Sequence, residues 1–406
     1  MNEILSVGLI LMAALLAGHV AQLARVPEVT GYLLIGVLIG PAALDLISHE
    51  NITTLGFLSD VALGLILFNI GSIFEASNFR QVGPGVVRVT LWEATLAFAL
   101  VCLVLVLSGM SLPLALLLGV VAMETAPATT LMVLNEYDAE GPMTSRLLAL
   151  VALNNMYVLV MFGVVTAGIT LVDSAGQGWL SSGYRAVHGL LWSTLGSIAL
   201  GALLGLLMDF WATRAKESGE AMILSIGAVL IGVGASRWLG LSPLISTLAL
   251  GATVANASPQ GDRLLRALGR ADPPLYAAFF VLAGAELVPS SVLGLGVIGA
   301  GYTVARTVGK IAGARIGLRG QDVPDVVRRQ IGYCLVSSSS LAVGLTIQIR
   351  TAFPTYASTI TGIVLAAVVI FEVVGPLLTR RALFATGEAK TLPSPLLKAE
   401  ESEAVV

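Results

Sequence analysis

Charge is what this chain has least of: Asp, Glu, Lys and Arg make up 12% of its 406 residues, about half the share of an average soluble domain. Hydrophobic residues account for 56%. A water-soluble fold of this size could not hide so much apolar surface, so that class is excluded. Cysteine is scarce too. Cys102 and Cys334 both lie inside apolar runs, which excludes a disulfide framework and a zinc site. Nor is there an excess of basic charge: 22 Lys and Arg against 25 Asp and Glu give a net charge of −3, which speaks against nucleic acid as a partner. The first apolar run has neither a basic flank nor a clean A-x-A cleavage site, so it reads as a helix and not as a signal peptide.

What the chain does have is long apolar runs. They fall at about 4–23, 29–48, 57–74, 86–107, 112–134, 147–171, 188–211, 220–236, 242–257, 274–288, 291–313, 330–349 and 355–378. A bilayer core about 30 Å thick takes about 20 helical residues, so these thirteen runs predict an all-α polytopic membrane protein. The basic residues support the odd number. If loops alternate sides, seventeen Lys and Arg fall on the side of the C-terminus and three (Arg185, Arg237, Arg350) on the other, while Arg306 and Lys310 lie inside a run. That bias predicts a cytoplasmic C-terminus and an external N-terminus.

The runs also repeat. Runs 1 to 6 and runs 8 to 13 are offset by roughly 205 to 220 positions, Gly40 answering Gly251 and Gly71 answering Gly284. Repeats seven spans apart have opposite orientation, the architecture of secondary transporters whose sites lie where helices break. The organisation expected is a transmembrane domain over 1–382, with a first repeat at about 4–171, a linking helix at about 188–211 and a second repeat at about 220–378. A short polar tail, 383–406, is too small for a nucleotide-binding domain.

Breaks are expected in run 5, at Met123-Glu124-Thr125-Ala126-Pro127, and more weakly in run 12, at Ser337-Ser338-Ser339-Ser340, which has no proline. Proline removes a backbone donor and frees carbonyls that hydroxyls or a cation must satisfy. Charges inside spans are functional candidates by default: Glu93, Glu124, Arg306, Lys310 and Glu372. Arg306 and Lys310 are four apart and share a helix face, and Glu124 is the expected partner of both. Glu93, after Trp92, is expected at the membrane interface or in a vestibule, and Glu372 beside Arg380 and Arg381 near the cytoplasmic end. The G-x-G-x-x-G at Gly294 to Gly299 lies in a transmembrane run with no strand before it, so small-residue helix packing explains it better than a dinucleotide.

Several stretches together carry a family resemblance: GYLLIGVLIGP (31–41), LGLILFNIGSIFE (63–75), ETAPATTLMVLNEYDAEGP (124–142), LVALNN (150–155), FFVLAGAEL (279–287), YTVARTVGKIAGA (302–314) and FEVVGP (371–376). The chain resembles the monovalent cation:proton antiporters of the Kef- and NapA-like branch. The resemblance implies an inverted-repeat fold with two crossed, discontinuous helices, alternating access, a homodimer in the cell (inner) membrane, exchange of Na⁺ or K⁺ for protons, and neither enzymatic activity nor a cofactor. It places the ion site at Thr125, Thr129, Asn154 and Asn155, with Lys310 as the family's core-helix lysine. The family's aspartates are replaced by Asn154 and Asn155. Asparagine offers a carbonyl oxygen but carries no proton. Glu124 is therefore the expected surrogate carboxylate. The alternatives are the same fold turned to another solute, an anion among them because Arg306 and Lys310 would face two neutral amides, or to sensing without transport.

Overall fold

The computed structural model describes residues 2–24, 26–72, 83, 85–173, 188–189, 191–214, 218–269, 272–286, 296–338 and 340–390. Among them every regular element is helical, as a chain that must satisfy its own backbone inside lipid requires. In chain order these are α1 (Glu3–Leu23), α2 (Glu28–Ile39), α3 (His49–Ser72), α4 (Gly85–Leu107), α5 (Leu112–Ala122), α6 (Pro127–Glu136) and α7 (Pro142–Asp173). After a π turn at Trp192–Gly196 come α8 (Ser197–Ala212), α9 (Ser218–Trp238), α10 (Pro243–Ala257), α11 (Gly261–Gly269), α12 (Asp272–Glu286), α13 (Gly296–Gly317), α14 (Asp325–Cys334), α15 (Ser340–Ala352) and α16 (Ala357–Thr386). Eight spans among the described residues are long and apolar enough to cross a membrane, with α5 and α6 counted as one. α2, α10 and part of α15 are shorter apolar helices. The short α11 falls in what the hydropathy pattern reads as a loop.

Close helix pairs join the two halves of the chain. α2 lies on α12, α3 on α10, and α4 on its own repeat partner α13. The glycines at these crossings are there because backbones touch. A Cβ on Gly36 would lie 2.2 Å from the Val281 carbonyl oxygen, and one on Gly284 would lie 2.2 Å from that of Leu33. The same relation recurs where Gly71 meets Leu248, at 2.2 Å, and Gly251 meets Phe68, at 2.0 Å. A methyl group fits at none of the four, the close-packing solution of helices in lipid.

Both expected breaks are present. α5 ends at Ala122, and Ala126 is extended (φ −65°, ψ 112°) before Pro127 opens α6. α14 ends at Cys334 and α15 begins at Ser340. The interruptions meet: Ala126 N donates to the Ser337 carbonyl at 3.2 Å, and Thr125 Oγ1 to that of Leu335 at 3.3 Å. The second break needs no proline because donors from other helices replace the helical ladder there. The dinucleotide-like glycines Gly296, Gly299 and Gly301 lie in the first turns of α13, with no strand among the described residues. Gly294 and Arg185 lie outside the described residues.

Candidate functional site

The crossing is ringed by polar side chains that the membrane would otherwise exclude. Glu93, Glu124, Thr125, Asn154, Ser337 and Lys310 are fully buried, and Thr129, Asn155, Arg306, Ser338 and Glu372 nearly so. Burial of so many polar groups is tolerable only when they answer one another.

Arg306 occupies the middle. Its guanidinium donates to the carbonyl of Val336 at 2.5 Å, of Glu124 at 2.7 Å and of Ser337 at 3.1 Å, and lies over the Phe371 ring at 4.2 Å. The Glu124 carboxylate is 3.9 Å from it and accepts from Ser338 Oγ at 2.9 Å. Lys310, one turn along α13, donates to the Met123 carbonyl and to Thr125 Oγ1 at 2.8 Å. Asn155 Nδ2 takes the Thr125 carbonyl at 3.4 Å and Val151's at 2.8 Å. The carbonyls freed by the two breaks are thus answered largely by side chains of the protein itself.

Three sequence-based expectations change here. Lys310 does not pair with Glu124: its Nζ is 2.7 Å from Glu93 Oε2. Glu93 is not at an interface or in a vestibule but at the centre of the protein, its other oxygen accepting from Asn154 Nδ2 at 2.6 Å. Glu372 does not pair with Arg380 and Arg381. It accepts from Thr129 Oγ1 of α6 at 3.1 Å, while Arg380 lies over Tyr137 and Phe384. The reason for the first two is the α4–α13 contact. A Cβ on Gly309 would be 2.4 Å from Ala97 Cα, and one on Gly313 would be 2.5 Å from Glu93 Cα. Backbones this close leave Lys310, between those glycines, room for a partner on α4. The sequence carried that signal in Gly309-x-x-x-Gly313, although not the identity of the facing helix.

Arg306, Lys310, Glu124, Thr125, Asn154 and Asn155 therefore come together as one cluster, and Thr129 joins it through Glu372. Among the described residues, Asn154 Oδ1 and Ser337 Oγ are buried there without a hydrogen-bond partner. A cavity of about 1410 Å³ approaches from one side of the membrane domain. Its walls include Asp60 of α3, Arg237 of α9, Glu286 of α12 and Gln348 of α15, and on α7 it reaches Leu159, one turn from Asn155. Asp60 and Arg237 are bridged at 2.5 Å.

Discontinuous helices that meet at their breaks around a buried charge cluster are the architecture in which secondary transporters build their sites. Residues 9–385 match the family model described as the sodium/hydrogen exchanger, transmembrane. The chain belongs to that family. Two structures of the sodium proton antiporter MjNhaP1 from Methanocaldococcus jannaschii share its fold. One has a TM-score of 0.74 at 16% identity, over 96% of this chain and 98% of the other. The second, at pH 8, has a TM-score of 0.64 at 18% identity, over 95% of each. Among characterised relatives, the ammonium/H⁺ antiporter subunit AmhT of Alkalihalophilus pseudofirmus is 23% identical over 62% of this chain. The iron transporter MagA of Paramagnetospirillum magneticum is 24% identical over 70% of it. In each case the match spans 63% of the relative's length.

Proposed function

We propose that this protein exchanges a monovalent cation, Na⁺ or K⁺, for protons across the cell membrane by alternating access, as a homodimer. The observation that carries the reading is the charge balance of the buried cluster: three carboxylates (Glu93, Glu124, Glu372) face two cationic side chains (Arg306, Lys310). With all five ionised, one negative charge is left over, and in a low-dielectric interior that favours taking up a cation or a proton. The same count argues against an anion, because each cationic side chain already has a carboxylate near it. Asn154, Asn155, Thr125 and Thr129 supply neutral oxygens to the cation, and Glu124 contributes charge at the crossing. The cavity is lined by helix ends on the side that the loop charges assign to the exterior, which supports reading the arrangement as outward-facing.

Purified protein in liposomes carrying an internal pH dye tests the proposal. Na⁺, K⁺ and Li⁺ are added outside in turn, with ammonium included because a relative's name mentions it. Cation-dependent proton movement supports exchange, and the cation that drives it identifies the substrate. Silence with all four in intact protein overturns exchange and points to another solute or to sensing.

A further inference from the structure

Neither asparagine of the α7 motif can carry a proton, yet Lys310 has a carboxylate partner on a different helix, α4. We infer that Glu93 of α4 is the carboxylate for which the cation and the Lys310 ammonium compete, with Lys310 giving up its proton when the cation binds; this rests on the exchange reading above.

Three observations converge. First, the Glu93–Lys310 ion pair, 2.7 Å long and fully buried, is enforced by the backbone contact at Gly309 and Gly313. Second, the two acid–base pairs of the cluster differ chemically. Glu124 lies by an arginine, whose charge persists at every accessible pH, whereas Glu93 lies by a lysine, which loses its proton readily when buried. Only in the second pair can the cationic member give up its proton. Third, donation from Asn154 Nδ2 to Glu93 turns that amide so that its Oδ1 is buried and unpartnered beside the pair. Glu93 carboxylate, Asn154 Oδ1 and Thr125 Oγ1 then offer the hard oxygen donors an alkali cation prefers.

The charged groups near Glu93 are Lys310 and Arg306, both from α13. α7 faces it with the amide of Asn154. The Met123 carbonyl at the end of α5 is shared by Asn154 and Lys310, and Glu124 adds a more distant charge to Lys310. The step balances without a further reactant. The cation settles on the Glu93 carboxylate, one N–H bond of the Lys310 ammonium breaks, and the proton passes to water on the open side. One charge enters and one leaves. On the opposite side a proton returns to Lys310, the ion pair re-forms and the cation departs.

The test uses the liposome assay with wild type, E93Q, E93Q/K310Q, E93Q/N154D and E124Q. E93Q alone leaves a buried lysine without its partner and can fail to fold, so the double variants carry the decision. The first removes both charges, and the second moves the carboxylate to a residue that contacts both Glu93 and the carbonyl Lys310 uses. Expected are loss of cation-dependent proton movement in folded E93Q/K310Q and its return in E93Q/N154D with a shifted pH profile. Exchange that persists in E93Q/K310Q, silence of folded E93Q/N154D, or loss confined to E124Q overturns the assignment while leaving the exchange reading intact. A wild-type protein silent with every cation overturns the exchange reading and this assignment with it.

Discussion

Lys310 on α13 and Glu93 on α4 form an ion pair of 2.7 Å in which neither side chain is exposed at all. Glu124, on the broken helix, meets Arg306 instead, at 3.9 Å. The cluster thus holds two ion pairs side by side, one anchored by arginine and one by lysine. Removing one member of a fully buried pair leaves an uncompensated charge, at a cost of about 3–5 kcal/mol. Lys310→Gln is therefore expected to lower the melting temperature in detergent sharply, and Glu93→Gln in the same protein to recover most of the loss. Thermal unfolding of both singles and the double closes that cycle. Additive losses would mean the two residues do not depend on each other.

Gly313→Ala is expected to be more damaging than a methyl group suggests. Its Cβ would stand 2.5 Å from Glu93 Cα and 2.5 Å from the Trp92 carbonyl oxygen, and both of those atoms are backbone. α4 must move outward, at a cost of about 1–3 kcal/mol, and Glu93 moves with it. Reduced thermal stability together with reduced transport is the expected pair of readouts. Gly8, which has open space where a Cβ would go, is the control and should tolerate alanine.

The tail of α16 is latched to the start of α7. Glu388 accepts from Met143 N and Thr144 N at 2.7 Å each, and from Thr144 Oγ1 at 2.8 Å. It therefore caps the α7 N-terminus from a distant part of the chain. Lys390 bonds Asp138 at 2.7 Å, and that hydrogen bond holds the lysine above its ordinary value. A raised lysine contributes its stability below the unfolded value of about 10.4 and loses it as pH climbs through the folded one. Glu388→Ala should cost about 0.5–2 kcal/mol at neutral pH. The smaller difference between wild type and Lys390→Met should be present at neutral pH and fade only in strong alkali. Melting curves across pH check both, and a Lys390→Met difference that grew with alkali would contradict the latch.

Much of this architecture is legible in the sequence, because lipid forces backbone groups to be satisfied locally and leaves a clear hydropathy pattern. Pro127 announces the first break, since its missing N–H interrupts the ladder whatever surrounds it. The second break is harder to read. Nothing in Ser337 or Ser338 forbids helix, and the carbonyls of Val336 and Ser337 find their donors outside the ladder, in Arg306 of α13 and, for Ser337, also in Ala126 N. Pairing inside the cluster has the same character. Lys310 can be recognised as an intramembrane charge needing a partner, but the choice between Glu93 and Glu124 depends on which helix Gly309 and Gly313 lie against. The partner of Glu372 is hidden from the sequence for a related reason. Its sequence neighbours Arg380 and Arg381 are two turns or more along α16, while Thr129 reaches it from α6.

Asn155→Asp separates a retuned site from an abandoned one. Asn155 Nδ2 donates to the carbonyls of Val151 and Thr125, and an aspartate can donate to neither unless protonated. Ionised, it would place a second competing carboxylate next to the Thr125 hydroxyl that Lys310 already contacts. Tighter apparent cation affinity and an altered pH dependence of exchange are expected, measured as proton movement at graded cation concentrations. An unchanged profile would mean that position 155 no longer faces the transported ion.

Arg306→Lys is the substitution that tests how the crossing is held. The guanidinium reaches three carbonyls, two on the second break and one on the first, in a planar fork, while stacking on Phe371. An ammonium keeps the charge beside Glu124, but it is a compact point donor without that fixed fork and without a plane to stack. At least one carbonyl would be left buried without a donor, at about 1–3 kcal/mol for each group. The lysine variant should therefore unfold at lower temperature although its net charge is unchanged, and added cation should not rescue it, because the loss is geometric. If Arg306→Lys melts with wild type while Arg306→Gln does not, charge alone holds the two broken helices together and the three hydrogen bonds are dispensable.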